Sequence, residues 1–87
     1  MERPDIYVIT RFLESLWTKG GGQMRRTELQ MSVQVNYNIF VKYLNFLTEK
    51  GLVSVVEEDG ERVVRITEKG VSAYNLVVEL VRRVFKN

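Results

Sequence analysis

The sequence predicts a small α+β fold, mainly α, with a β-ribbon set between its third and fourth helices. Three observations carry this. The stretch VNYNIFVKYLNFLTEKGL, from Val35 to Leu52, puts Phe40, Tyr43, Leu44 and Leu47 at the i, i+3, i+4, i+7 spacing of one helix face. After Gly51 the hydrophobic period drops from the helical value to about 2, in two β-branched runs on either side of Asp59-Gly60. From Thr67 the helical period returns and continues to about Phe85.

Each element has its own local reasons. Asp5 is placed to cap a first helix with apolar positions Ile6, Ile9, Phe12, Leu13, Leu16 and Trp17, and with Arg11 and Glu14 on the wetter side. That helix is expected to stop at Lys19, because each glycine of Gly20-Gly21-Gly22 costs about 1 kcal/mol relative to alanine inside a helix. The triple glycine lacks the Lys-Ser/Thr continuation and the preceding strand of a phosphate-binding loop, so it reads as a flexible connector. Thr27, with Gln30 three residues on, has the pattern of a capping box opening a short second helix, with Leu29 and Met31 or Val33 facing the core. Gln34-Val35 then leave room only for a tight connection to the third helix. Asn36 suits its N-cap and Gly51 its left-handed C-terminal cap. Two helices joined so closely, the second with a polar outward face, have the helix-turn-helix arrangement.

Beyond Gly51, Leu52–Val56 and Arg62–Thr67 read as two strands, and the connection Glu57–Glu61 contains Asp-Gly, whose turn needs positive φ. Thr67 caps the last helix. Its apolar residues occupy so much of the circumference that one small core cannot cover them, and Ala73, Val77, Leu80 and Val84 recur by fours and threes as in a helix–helix seam. Val81 and Phe85 extend that surface. The expectation is a homodimer joined through this helix. The competing expectation is that the first helix, with Phe12 and Trp17, covers the surface within one chain.

Composition excludes much chemistry. The chain has 87 residues, 45% apolar and 28% charged, with no His and no Cys. That suits one ordinary globular domain and removes imidazole catalysis, thiol nucleophiles and the usual zinc sites. No enzyme, metal or cofactor is expected. No apolar run reaches the roughly 18–20 residues needed to cross a bilayer, so no membrane association is expected. The opening MERPDIYVIT lacks the continuous apolar core of a secretory signal, which together with the missing cysteines points to an intracellular, cytoplasmic protein.

Net charge is only +2, so its placement matters more than its sum. Between Lys19 and Asn45 stand Lys19, Arg25, Arg26 and Lys42 against Glu28 alone; from Gly51 onward acids and bases cancel. Arg25, Arg26 and Thr27 flank a helix start, where backbone N–H groups and the helix dipole already favour an anion. Arg62 and Arg65 on the ribbon are within reach of a phosphate backbone, whereas Glu57, Glu58, Asp59 and Glu61 repel one. The tip is expected to be solvated and to stay out of a DNA groove. On the outward face of the third helix lie Asn38, Val41, Lys42, Asn45 and Glu49.

The chain resembles archaeal winged-helix DNA-binding proteins. Asn36-Tyr37, Phe40…Tyr43-Leu44…Leu47, Glu49-Lys50-Gly51-Leu52-Val53 and Arg65-Ile66-Thr67-Glu68-Lys69-Gly70 carry the resemblance, which spans about Asp5 to Phe85. It implies a winged helix-turn-helix of three helices and a two-stranded wing over residues 1–70, with residues 71–87 as a C-terminal dimerisation helix of the same compact unit. It also implies that the third helix is the recognition helix, and that the protein is similar to small archaeal chromatin-type proteins and archaeal-virus regulators that dimerise through a C-terminal helix. The acidic wing and low charge favour a site-specific regulator over DNA compaction. Asn38, Val41, Lys42 and Asn45 are then expected to face the major groove of double-stranded DNA, with Asn36 and Tyr37 at its entrance. Arg25, Arg26, Thr27, Arg62 and Arg65 are expected to contact phosphates. The alternative function is a winged-helix protein-interaction module that does not bind DNA. A chain this short leaves little room for a ligand pocket, so no small-molecule ligand is expected.

Overall fold

The computed structural model describes residues 3–86; Met1, Glu2 and Asn87, which open and close the two predicted units, lie outside the described residues. Helix α1 (Ile6–Glu14) runs into a π-helical segment, Ser15–Lys19. Strand β1 (Gln23–Arg25), α2 (Arg26–Val33), α3 (Tyr37–Glu49), β2 (Val53–Glu58), β3 (Glu61–Ile66) and α4 (Glu68–Phe85) follow. The architecture is a winged helix with an antiparallel sheet ordered β1-β3-β2.

The helix starts and stops follow the local chemistry. Tyr7 N–H donates to Asp5 Oδ1 at 2.7 Å, and Ile39 N–H donates to Asn36 Oδ1 at 2.9 Å. Helix α3 ends in a Schellman motif: Gly51 adopts φ +75°, its N–H donates to Thr48 O at 3.0 Å, and Leu52 N–H donates to Leu47 O at 2.9 Å. Arg11, expected on the wetter side of the first helix, is half-buried and donates from Nη1 to Val33 O at 2.7 Å. It thereby supplies a cation and a donor to the C-terminal carbonyls of α2.

The core joins α1, α2, α3 and the sheet. Phe12 stacks on Phe40, centroid to centroid 5.5 Å, and on Tyr43 at 6.0 Å. Leu13, Leu16, Leu29, Val33, Leu44, Leu47, Val53 and Val64 close around them. Asp5 N–H donates to Tyr43 Oη at 2.8 Å, so the one polar atom of that buried ring is satisfied and the start of α1 is tied to the middle of α3.

Several further expectations need correction. The wing sheet has three strands, because β1 pairs with β3 in the register Gln23↔Arg65, Met24↔Val64 and Arg25↔Val63. Three residues are too short to show an alternating pattern. The triple glycine is a built turn and not a flexible connector: Gly21 and Gly22 take φ of +66° and +109°, and Ile66 N–H donates to Gly22 O at 2.9 Å. A Cβ on Gly20 would stand 2.5 Å from Gln23 O. Helix α2 starts at Arg26, not Thr27; Glu28 accepts from Arg25 N–H at 3.2 Å, while the arginine side chain has no acceptor to complete a reciprocal box. Finally, the strands run up to the turn itself. Only Asp59 and Gly60, at φ +52° and +79°, form it, and Glu57, Glu58 and Glu61 are strand residues.

Two expected core residues of the first helix are exposed, Ile6 at 61% and Trp17 at 43%. The π-helical turn rotates the end of the helix; Thr18 Oγ1 donates back to Glu14 O and Gly20 N–H to Ser15 O, a five-residue span. Ser15, buried in that turn, shares a hydroxyl hydrogen bond of 2.7 Å with the half-buried Ser32 of α2.

Candidate nucleic-acid interface

Helix α3 buries Phe40, Tyr43, Leu44 and Leu47, which forces the other side of the helix outward. Asn38, Lys42, Asn45 and Glu49 are exposed there, and Val41 is half-buried beside them. Lys42, Asn45, Phe46 and Glu49 border one shallow depression along this face. Among the described residues Lys42 has no ion-pair partner. Asn36 is differently placed. Its Oδ1 is committed to the helix cap, which leaves only its amide N–H groups for a ligand.

The first turn of α2 and the outer end of the wing meet across a cleft of about 360 Å³ lined by Arg25, Arg26, Thr27, Glu61 and Arg62. The β1–β3 pairing brings them together, since it lays Arg25 opposite Val63 and continues directly into α2. Arg26 is half-buried, and its guanidinium carbon lies 5.7 Å from the centre of the Tyr37 ring and 5.4 Å from that of Phe40. Tyr37 remains 56% exposed at the first turn of α3. The cleft and the outward face of α3 are therefore joined by a stacked arginine and tyrosine.

The arginines are not equivalent. Arg25 Nε lies 3.3 Å from Glu28 Oε1 and 3.5 Å from Glu61 Oε2. Arg65 pairs with Glu58 through Nη2 and donates from Nε to Gln23 Oε1 at 2.9 Å, on the outer side of the sheet. Arg62 is exposed and, among the described residues, without an ion pair. Arg25, Arg26, Thr27 and Arg62 thus converge on one cleft, and Arg65 stands apart from it. The (i, i+3) spacing of Arg25 and Glu28 was visible in the sequence. The contacts of Arg25 with Glu61 and of Arg65 with Gln23 depend on β1, and no sequence signal announced them.

Helix α4 begins at the cap formed by Thr67, whose Oγ1 accepts from Gly70 N–H at 3.0 Å. Ala73 and Tyr74 pack on the core, and Val77 is half-buried. From Glu79 to Lys86 every residue is exposed. Leu80, Val81, Val84 and Phe85 are therefore uncovered, as is Leu76, which the four-and-three seam pattern passes over. The first helix does not cover this surface. Among the described residues no helix is long and apolar enough to cross a membrane, and no group of three carboxylates is placed to hold a metal ion.

Comparison with known proteins agrees with this geometry. F93 from STIV, described as a winged-helix DNA-binding protein, superposes with a TM-score of 0.79 at 16% identity, over 94% of this chain and 92% of that one. Sso10a-2, a DNA-binding protein from Sulfolobus solfataricus, gives 0.77 at 21% identity, over 92% and 80%. MarR from E. coli, complexed with operator DNA, gives 0.73 at 20% identity over 84% of this chain, which spans 53% of that one. At these identities the likeness is one of fold. No curated protein matches the sequence. The sequence matches the winged helix-turn-helix family over residues 3–84, and the chain belongs to that family.

Proposed function

We propose that this protein is a sequence-specific double-stranded DNA-binding protein, a homodimeric transcriptional regulator that inserts α3 into the major groove. The observation that carries the reading is the exposed stripe Asn38, Lys42 and Asn45 on α3, continuous through Tyr37 and Arg26 with the arginine-lined cleft at α2. Amides and a lysine suit the donor and acceptor pattern of base edges, with asparagine matching adenine and Lys42 taking guanine O6/N7 or a phosphate. Val41 meets a thymine methyl. Arg26, Thr27 and Arg62 hold the phosphate backbone and set the register. Arg25 and Arg65 belong to that set only where no carboxylate engages them. Asn36 acts as the cap that fixes the entry of α3 more than as a base contact.

The exposed Leu76, Leu80, Val81, Val84 and Phe85 supply the seam for a second copy, with Ala73 and Val77 at its inner edge. Two copies joined there present two recognition helices, and half-sites about 34–36 Å apart are expected. Such a regulator works inside a cell, on a nucleoid or in a virus-infected host.

Selection of bound fragments from a pool of random duplex DNA tests the reading. Enrichment of one inverted-repeat sequence is the expected result. Recovery of no DNA at low salt by a folded dimer would overturn it in favour of the protein-interaction alternative.

A further inference from the structure

Resting on the DNA-binding reading, we propose that Glu28 and Glu61 hold Arg25 out of the phosphate-binding set by occupying its guanidinium in place of a DNA phosphate. The three residues come from different elements. Arg25 ends β1, Glu28 sits in the first turn of α2, and Glu61 opens β3. The two carboxylates bracket one guanidinium nitrogen at 3.3 and 3.5 Å, and Glu61 lines the same cleft as Arg25, Arg26 and Arg62. Within that cleft and its rim, two carboxylates offset two of three guanidinium charges. The contact is not a structural ion pair in a dry core, because all three side chains are more than half exposed. Exposed pairs of this kind are weak and exchange readily. A phosphate offers the same guanidinium a competing anion, and each phosphate neutralised adds about 0.9 to the salt dependence of binding. Arg65 is likewise held by Glu58, on the same outer face of the sheet as Arg25 and Glu61.

The geometry distinguishes these acids from the rest of the wing. Asp59 at the turn is also an exposed carboxylate, but among the described residues it pairs with no arginine. General repulsion treats Asp59 and Glu61 alike, whereas competition for Arg25 does not.

The test measures duplex binding across a salt series for the full-length protein, with random-sequence DNA as the probe. The variants are Glu28→Gln with Glu61→Gln, Asp59→Asn as the control, and Arg25→Gln in both the native and the double-glutamine backgrounds. Glutamine at 28 keeps an acceptor for Arg25 N–H, so α2 retains its start. The double-glutamine protein is expected to bind more tightly and to show a log K against log salt slope steeper by about 0.9. Over a fourfold rise in salt, that slope alone is an extra loss of about 3.5-fold. Asp59→Asn leaves the slope unchanged. Arg25→Gln leaves the slope unchanged in the native background and removes the added 0.9 in the double-glutamine background. Binding by the double-glutamine protein when the native protein binds nothing also supports the competition. Equal slopes in the two backgrounds, with Arg25→Gln lowering both alike, overturn it while leaving DNA binding intact. Absence of binding by every variant overturns the DNA reading itself and this inference with it.

Discussion

The guanidinium of Arg26 lies over the ring of Tyr37, 5.7 Å from its centre, and so links the first turn of α2 to the first turn of α3. The same group is 5.4 Å from the centre of Phe40, which is fully buried. One side chain therefore touches the core, the exposed entrance to α3 and the arginine-lined cleft. Arg26→Ala removes a partly desolvated cation–π contact, a loss of about 1–2 kcal/mol. The expected fall in melting temperature is about 4–16 °C for a domain of this size, read by circular dichroism. Arg26→Lys should recover only part of it, since an ammonium does not stack as a planar guanidinium does.

Base readout and fold should separate on α3. Lys42 and Asn45 are exposed and bear on no buried contact. Lys42→Ala with Asn45→Ala should leave the melting temperature within a few degrees of native, and should erase preference for a selected site over random DNA. Loss of one good bidentate contact is about 1–3 kcal/mol of discrimination, so the competition ratio should fall by roughly tenfold or more. Unchanged discrimination would move the reading surface elsewhere.

Association should likewise separate from folding on α4. Leu80 and Val84 are 61% and 62% exposed, whereas Val77 is half-buried on its own chain. Leu80→Glu with Val84→Glu is expected to give a folded monomer, seen as half the native mass in light scattering with the helical spectrum kept. A dimer of native mass would place the seam outside these residues.

Alkaline pH should weaken the fold through Tyr74. Burial against the core, and then the nearby carboxylate of Glu14, raise the Tyr74 hydroxyl above its ordinary value of 10.0. The unfolded chain therefore loses this proton first as pH rises. The contribution is fully present below pH 10.0 and is lost as the pH climbs from there through the raised value. Tyr74→Phe should flatten that part of the urea-midpoint curve on the alkaline side and leave neutral pH little changed.

Much of this could be read from the residues because it is local. The caps at Asp5, Asn36 and Thr67, the left-handed Gly51 and the Asp59-Gly60 turn each depend on a few adjacent positions, and all five stand as expected. The face of α3 followed from its period. What escaped was non-local or too short to have a period. Strand β1 exists because Gly22 and Gln23–Arg25 find β3 some forty residues away. Trp17 is exposed because a π-helical turn shifts its azimuth, which an unbroken 3.6-residue period cannot foresee. The candidate site shows the same division. Its arginines could be listed from the sequence, but which of them are engaged by carboxylates depends on strand pairing.

The junction between α3 and α4 has a mechanical consequence. Thr67 N–H donates to Leu52 O and its hydroxyl to Gly51 O, Lys69 Nζ donates to Lys50 O, and a Cβ on Gly70 would lie 2.1 Å from Leu52 O. The last turn of α3 and the first turn of α4 are thus a single rigid elbow. A tilt of α4 therefore bears directly on the residues that close α3. The glycine and the threonine that set how α3 is presented thus lie outside its outward face.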